Sequence, residues 1–223
     1  SAEDAGVTIK GAEDHTTLIN RGNANSGQYA FQITGAAHVT FDHLTITGGV
    51  NGVYASGGSD YLTVTNSELY SNASRGVSID SSHYFTISGN TFHDNGASDA
   101  YGGAVGTNYA NYGTISGNLI YNEYGSYGAA VRLYSGTANV ISDNEFSANR
   151  YRAIMFYGGD GVVRGNRIHD SGTNYEAINA PTSVEIVDND IWGNSIAIDG
   201  GGAIHGNRIY RNTTGIQSSG QNI

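Results

Sequence analysis

The sequence predicts an all-β solenoid of about nine turns with three short strands per turn, and three observations carry that prediction. The unit Ile87-Ser88-Gly89-Asn90-Thr91-Phe92-His93-Asp94-Asn95-Gly96 returns downstream. Its copies begin Ile115-Ser116-Gly117-Asn118, Ile141-Ser142-Asp143-Asn144, Val163-Arg164-Gly165-Asn166, Ile186-Val187-Asp188-Asn189 and Ile204-His205-Gly206-Asn207. The first asparagines of the copies are separated by 28, 26, 22, 23 and 18 residues, which are solenoid periods. Within each period lie three runs of alternating polarity. They are too short for helices, rich in β-branched and aromatic residues, and bounded by Gly, Asn, Ser or Asp.

Taking the turns in order, the first strand places Phe31/Ile33, Val53/Ala55, Val77/Ile79, Val105/Thr107, Val131/Leu133, Ile154/Phe156, Ile178/Ala180 and Ile198/Gly200 inward. The second strand adds Val39/Phe41, Leu62/Val64, Phe85/Ile87, Ile115, Ile141, Val163, Val184/Ile186 and Ile204. The third adds Ile46, Leu69, Phe92, Ile120, Phe146, Ile168, Ile191 and Ile209. Stacked turns bury these as three continuous apolar columns, which no single turn could do alone. A small residue such as Gly76, Ala104, Ala130 or Ala153 precedes each first-strand apolar position, as a tight corner requires. The template asparagines fall where the backbone turns between second and third strands. Asn tolerates left-handed backbone there, and the stacked residues are expected to form an Asn ladder. Asn72, Asn95, Asn149, Asn194 and Asn212 make a second series, with Glu123 and Ser171 in matching places.

The template spans most of the 223 residues without a shift in composition, so residues 1–223 read as one domain. Hydrophobic residues make up 38% and proline occurs once, which excludes disordered and collagen-like classes. Lys10 is the only lysine and the formal charge is −10, so a nucleic-acid backbone is excluded as partner. The chain has no cysteine, hence no disulfide or thiolate–metal framework, and no apolar run of membrane-spanning length. Val7-Thr8-Ile9 and Thr17-Leu18-Ile19 already read as strands, and Ile223 falls where Ile204 falls one turn earlier. The expectation is a fragment of a longer secreted protein, monomeric as a fragment.

These repeats resemble the right-handed parallel β-helix superfamily that includes pectate lyases, mannuronan C5-epimerases and periplasmic NosD-type proteins. The resemblance covers roughly Val7 to Ile223. It implies an extracellular or cell-surface protein, or a periplasmic one, with a polysaccharide or glycan as partner. Individual signatures are missing. The only proline, Pro181, lies in Asn179-Ala180-Pro181-Thr182, so the epimerase motif Tyr-Gly-Phe-Asp-Pro-His is absent, as is the adjacent aspartate pair of polygalacturonases. A repeat made of core and corner residues specifies fold rather than function.

Candidate chemistry therefore lies where turns depart from the template. The extra length of the long turns falls at 96–103 and 123–129, with a shorter excess at 172–176, and loops on a solenoid gather beside its working surface. These loops carry Asp99, Tyr101, Glu123, Tyr124, Tyr127, Tyr175 and Glu176, and Arg152 and Asn108 lie on the adjoining strands. Outward first-strand positions read Tyr54/Ser56, Ser78/Asp80, Gly106/Asn108, Arg132/Tyr134 and Met155/Tyr157. Asp80 and Tyr134, two turns apart, are expected about 10 Å from each other, the span of about two sugar units. Arg132 could hold a uronate carboxylate while Tyr134 or Tyr157 moves a proton at the adjacent carbon, with Asp80 nearby. The catalytic set is thus Arg132, Tyr134, Tyr157 and Asp80. The substrate-binding set is Tyr54, Asn108, Tyr101, Tyr124, Tyr127, Arg152 and Glu176.

A second stripe on the third strand reads Tyr70, His93, Tyr121, Ser147, His169, Trp192, Tyr210, suited either to stacking on a glycan or to cross-strand pairing. No cofactor is implied. The pairs Asp188/Asp190 and Asp143/Glu145 could meet calcium but match no loop motif. Two functional classes stay open: a polysaccharide-binding module with lyase- or epimerase-like chemistry, and a non-catalytic structural or adhesive module.

Overall fold

The computed structural model describes residues 2–14, 16–125, 127–172 and 174–217. Ile223, on which the expected mid-turn ending rests, lies outside the described residues.

The chain winds as an all-β parallel solenoid, every pairing between turns being parallel and in the register that the repeats require. Ile87 pairs with Val64 and Ile115, Phe92 with Leu69 and Ile120, and Val105 with Val77 and Val131. Third strands form a nine-stranded sheet from Leu18–Asn20 to Arg208–Tyr210. First and second strands merge into one larger sheet, because two turns run without a break from one to the other as Ala129–Ser142 and Arg152–Arg164. The alternating pattern marked a corner there. It survives as a shift in register between Gly136 and Asn139, where Ser135 (φ 51°) and Ala138 (φ 52°) bend the strand.

All three expected columns line the interior, with the end-turn members Phe31, Ile204 and Ile209 only partly buried. The third-strand column from Ile46 through Leu69, Phe92, Ile120, Phe146 and Ile168 to Ile191 is fully buried, in one continuous core with the others. Removing such side chains from water supplies about 1.5–3 kcal/mol apiece. The small residue before the first strand has a different cause from the one expected. Gly76 does not have a positive φ; a Cβ there would lie 2.7 Å from Cδ1 of Phe92 and 2.8 Å from the Ala104 carbonyl oxygen. Steric room for the Phe92 ring, not a turn, demands it.

The corners also differ from the expectation in detail. The left-handed residue is the one before each asparagine: Gly89 (φ 65°), Gly117 (63°), Asp143 (57°), Gly165 (64°), Asp188 (53°) and Gly206 (68°). That explains the Gly-or-Asp rule of the template. The asparagines themselves are buried hydrogen-bonding rungs. Asn118 donates from its backbone N and its Nδ2 to Oδ1 of Asn144, both at 2.9 Å, and Asn144 does the same to Asn166 at 3.0 and 2.9 Å. Each Nδ2 also reaches back to a carbonyl, as Asn118 does to Ile87 at 3.0 Å. In the second series Glu123 accepts from Nδ2 of Asn95 at 3.0 Å, and the Ser171 N–H donates to Asn194 at 2.9 Å. No helix among the described residues is long and apolar enough to cross a membrane.

Candidate functional site

The outward face of the first strands carries Tyr54, Ser78, Gly106, Arg132, Met155, Asn179 and Asp199 in one register row. Asp80, Asn108, Tyr134 and Tyr157 form the next. Asp80 and Tyr134 flank Asn108 on its two sides, so the two-turn separation read from sequence holds.

The long loops build the roof of this face. Asp99 organises the first: it accepts from the Ser74 hydroxyl at 2.6 Å and the Tyr101 N–H at 2.9 Å. Burial pulls the Asp99 carboxyl upward, but those two hydrogen bonds and the charges of Arg75 and Arg132 outweigh it and hold it below its ordinary value. The second loop hooks onto the first through the Tyr127 N–H and the Ala100 carbonyl (2.6 Å). Tyr127 leans on Tyr101 with ring centres 6.3 Å apart.

Under this roof sits Arg132. Its guanidinium carbon lies 5.1 Å from the ring centre of Tyr101, 5.5 Å from Tyr134 and 5.9 Å from Tyr157. Tyr134 and Tyr157 stack at 5.3 Å, and Tyr109 meets Tyr134 edge-on at 5.6 Å. No described carboxylate forms an ion pair with Arg132, and its Nε is buried without a hydrogen-bond partner. Three other arginines are ion-paired: Arg152 to Glu176 at 2.6 Å, Arg167 to Glu145 at 3.3 Å and Arg208 to Asp190 at 3.6 Å.

Arg132, Tyr134, Tyr157, Tyr101 and Tyr127 thus come together as one cluster, with Asn108 beside it. Others stand apart. Arg152 and Glu176 bind each other, and Arg152 also lies over Tyr175 at 4.9 Å. Tyr124 points to the third-strand side, where its hydroxyl donates to Asp94 at 3.3 Å. Tyr54 stacks on Tyr29 at 4.6 Å, three turns from Arg132, which is roughly 14 Å along the row. Asp80 accepts from Ser81 at 3.0 Å. At the far end, burial raises the Asp199 carboxyl, and the nearby Glu176 adds to the rise against Arg152 and Asn179. Sequence reasoning missed Arg75, which reaches into this cluster from the strand start; the lone glycine at outward position 106 was the available signal.

The third-strand stripe resolves toward pairing. Tyr70, His93 and Tyr121 stack on one another at 5.0 Å, as do His169, Trp192 and Tyr210 at 4.4 and 5.7 Å, so their faces are covered by each other. Each histidine lies between two carboxylates: His93 between Asp94 (2.7 Å) and Glu68 (3.2 Å), His169 between Asp170 (2.9 Å) and Glu145 (3.4 Å). A further stack, His38, Tyr61, Tyr84, Tyr112, runs along the first corner at 4.5–5.0 Å.

The NosD family, described as periplasmic copper-binding protein, matches residues 1–160, and the right-handed β-helix region matches residues 124–223. No curated protein matches the chain in sequence. Among solved structures, an alginate lyase from Paenibacillus superposes with a TM-score of 0.76 at 16% identity, covering 96% of this chain and 89% of its own. The mannuronan C-5 epimerase A-module of Azotobacter vinelandii gives 0.67 at 14% identity, covering 98% of this chain and 58% of its own. A DFA-IIIase from Arthrobacter chlorophenolicus gives 0.53 at 11%, covering 80% of this chain and 45% of its own. At these identities the likeness is one of fold.

Copper, named in the family description, calls for thiolate, thioether or imidazole ligands set together. The chain has no cysteine and a single methionine, and among the described residues no group of three or more His, Asp or Glu side chains is placed to hold a metal ion. The donor set does not fit copper.

Proposed function

The chain belongs to the NosD family, and from that premise we propose that it is an extracellular or periplasmic β-helix module that engages a polysaccharide along its first-strand face, an anionic sugar lying against Arg132. One observation carries this reading. Arg132 is a guanidinium without a carboxylate partner, ringed by three phenolic side chains, on a chain of net charge −10. A ligand carboxylate supplies the charge that the protein withholds, and charge-assisted bonds of this kind are about twice as strong as neutral ones. Exposed rings of Tyr127 and Tyr157, 66% and 56% accessible, offer surfaces for the sugar rings on either side. The likeness of fold to an alginate lyase and a mannuronan C-5 epimerase supports a polysaccharide as the partner.

The catalytic form of this reading is lyase- or epimerase-like. Arg132 holds a uronate carboxylate and stabilises the charge that develops when the adjacent carbon loses its proton to Tyr134 or Tyr157 in its phenolate form, which becomes the phenol. In elimination the neighbouring C–O bond breaks, a C=C bond forms, and the departing oxygen takes a proton. In epimerisation a proton returns to the opposite face of the same carbon. Incubation with oligo-uronates and neutral oligosaccharides tests both levels. Selective binding of the uronates is the expected result, and an ultraviolet-absorbing unsaturated product would establish elimination. A folded protein that binds neither would leave the second reading, a structural or adhesive module. That reading draws on the third-strand stripe, where rings and charges are matched to each other.

A further inference from the structure

Arg75 opens its strand (Arg75–Asp80) one turn before Gly106 and two before Arg132, and its side chain lies across the sheet rather than out into water. A Cβ at Gly106 would overlap its Nε and lie 2.5 Å from its Cδ, so the missing side chain at 106 is the seat in which the guanidinium rests. One Arg75 nitrogen donates to Ser78 Oγ at 3.3 Å and another to the Tyr101 carbonyl at 3.2 Å. Its Nε, like that of Arg132, is buried with no partner. Burial lowers the pKa of Arg75, and Arg132 lowers it further against the opposing pull of Asp99, so the two guanidiniums act on each other electrostatically. Asp99 is the one carboxylate that acts on both, and it already accepts bonds from Ser74 and Tyr101. Two cations and one engaged anion leave an uncompensated positive charge under the loop roof.

We propose that Arg75, seated over Gly106, is a specificity-determining residue of this surface: with Arg132 it forms a paired-guanidinium reader for an anionic substituent, a carboxylate or a sulfate ester, on the bound saccharide. This rests on the saccharide-engaging reading above and extends it to a residue one turn beyond the Gly106 gap. Each terminal guanidinium nitrogen carries two N–H groups, so both forks keep donors for the oxygens of one planar or tetrahedral anion, whereas a neutral sugar gives them nothing to discharge.

The test compares each charged oligosaccharide with its neutral counterpart, using an oligo-uronate against its carboxyl-reduced form and a sulfated oligosaccharide against its desulfated form. Wild type should prefer at least one charged member, and which one distinguishes carboxylate from sulfate. Arg75→Met should weaken the charged ligand at least about tenfold and the neutral one less than about twofold. Gly106→Ala, which displaces the guanidinium without removing a core residue, should reproduce that selective loss even if Arg75→Met does not fold. An equal loss for charged and neutral ligands would mean that Arg75 only props the loop, and would overturn the inference while leaving the saccharide reading standing. Equal binding of charged and neutral ligands by wild type would overturn the inference together with the placing of an anionic sugar on Arg132, and leave only a saccharide-binding face. Absence of all binding by folded wild type would overturn both.

Discussion

The third-strand face and the first-strand face are built on the same winding, yet they treat charge in opposite ways. On the third strand, histidines and aromatics recur turn after turn, ring on ring, and His93 and His169 each lie between two carboxylates. On the first strand, between the long loops, Arg132 faces three tyrosines and forms no ion pair with a described carboxylate, and Arg75 crosses a glycine to join it. Where a repeat satisfies itself, it stabilises. Where it is broken by loops and leaves a guanidinium without an ion-pair partner, the proposed saccharide would supply the missing charge.

Breaking the self-satisfied part should cost the most stability. Asn144→Ala removes the acceptor for both Asn118 donors and the Nδ2 bond to the Ile115 carbonyl, all buried. A loss on the order of 3 kcal/mol in urea unfolding is expected. A loss under about 0.5 kcal/mol would mean that the ladder follows the winding rather than holding it.

Glu123 sharpens the comparison, because it is a carboxyl inside the matched region. Burial raises its pKa well above the ordinary value, Asp94 adding to the rise and the Asn95 bonds opposing it, and its Oε2 has no partner where an asparagine would place a donor. The folded state therefore favours the protonated acid. Its contribution is fully present below the unfolded glutamate pKa of about 4.3 and is lost as pH rises toward the folded value. Glu123→Gln keeps a donor at that rung, so the melting temperature of the wild type should fall relative to the variant as pH rises above about 4.3. Parallel curves would show that Glu123 is solvated.

The smallest stability change is expected at the unmatched site. Arg132→Gln forfeits cation–π contacts of a half-buried guanidinium, worth about 1 kcal/mol, offset by relief of repulsion from Arg75. Its net effect on unfolding should be within about 1 kcal/mol, while binding of a charged saccharide is lost. Strong destabilisation with binding retained would reverse the roles of the two faces.

The arrangement of turns was legible because core and corner residues obey a period. Ile87, Phe92 and Asn90 each have a counterpart at the same place in the next turn, and the register pairs those counterparts. Even the exceptions were placed correctly, Glu123 and Ser171 standing in their ladder. Left-handed backbone was assigned one residue late, to Asn90 rather than Gly89, because both residue types tolerate that conformation and spacing does not separate them. The site was legible in part. Arg132, Tyr134 and Tyr157 are neighbours because register makes them so. Arg152 and Glu176, expected as ligand contacts, form an ion pair with each other.

The sequence by itself determined the winding, the buried columns and the two asparagine series, since each depends on a side chain meeting its own kind one turn away. Only the tertiary structure decided which charges are matched. A long side chain chooses its rotamer among partners 20 to 30 residues distant, on turns whose loops differ in length, and no period in the sequence encodes that choice. Arg75 over Gly106 is the clearest case: the glycine is visible in the chain, but what occupies its empty place is settled by packing alone.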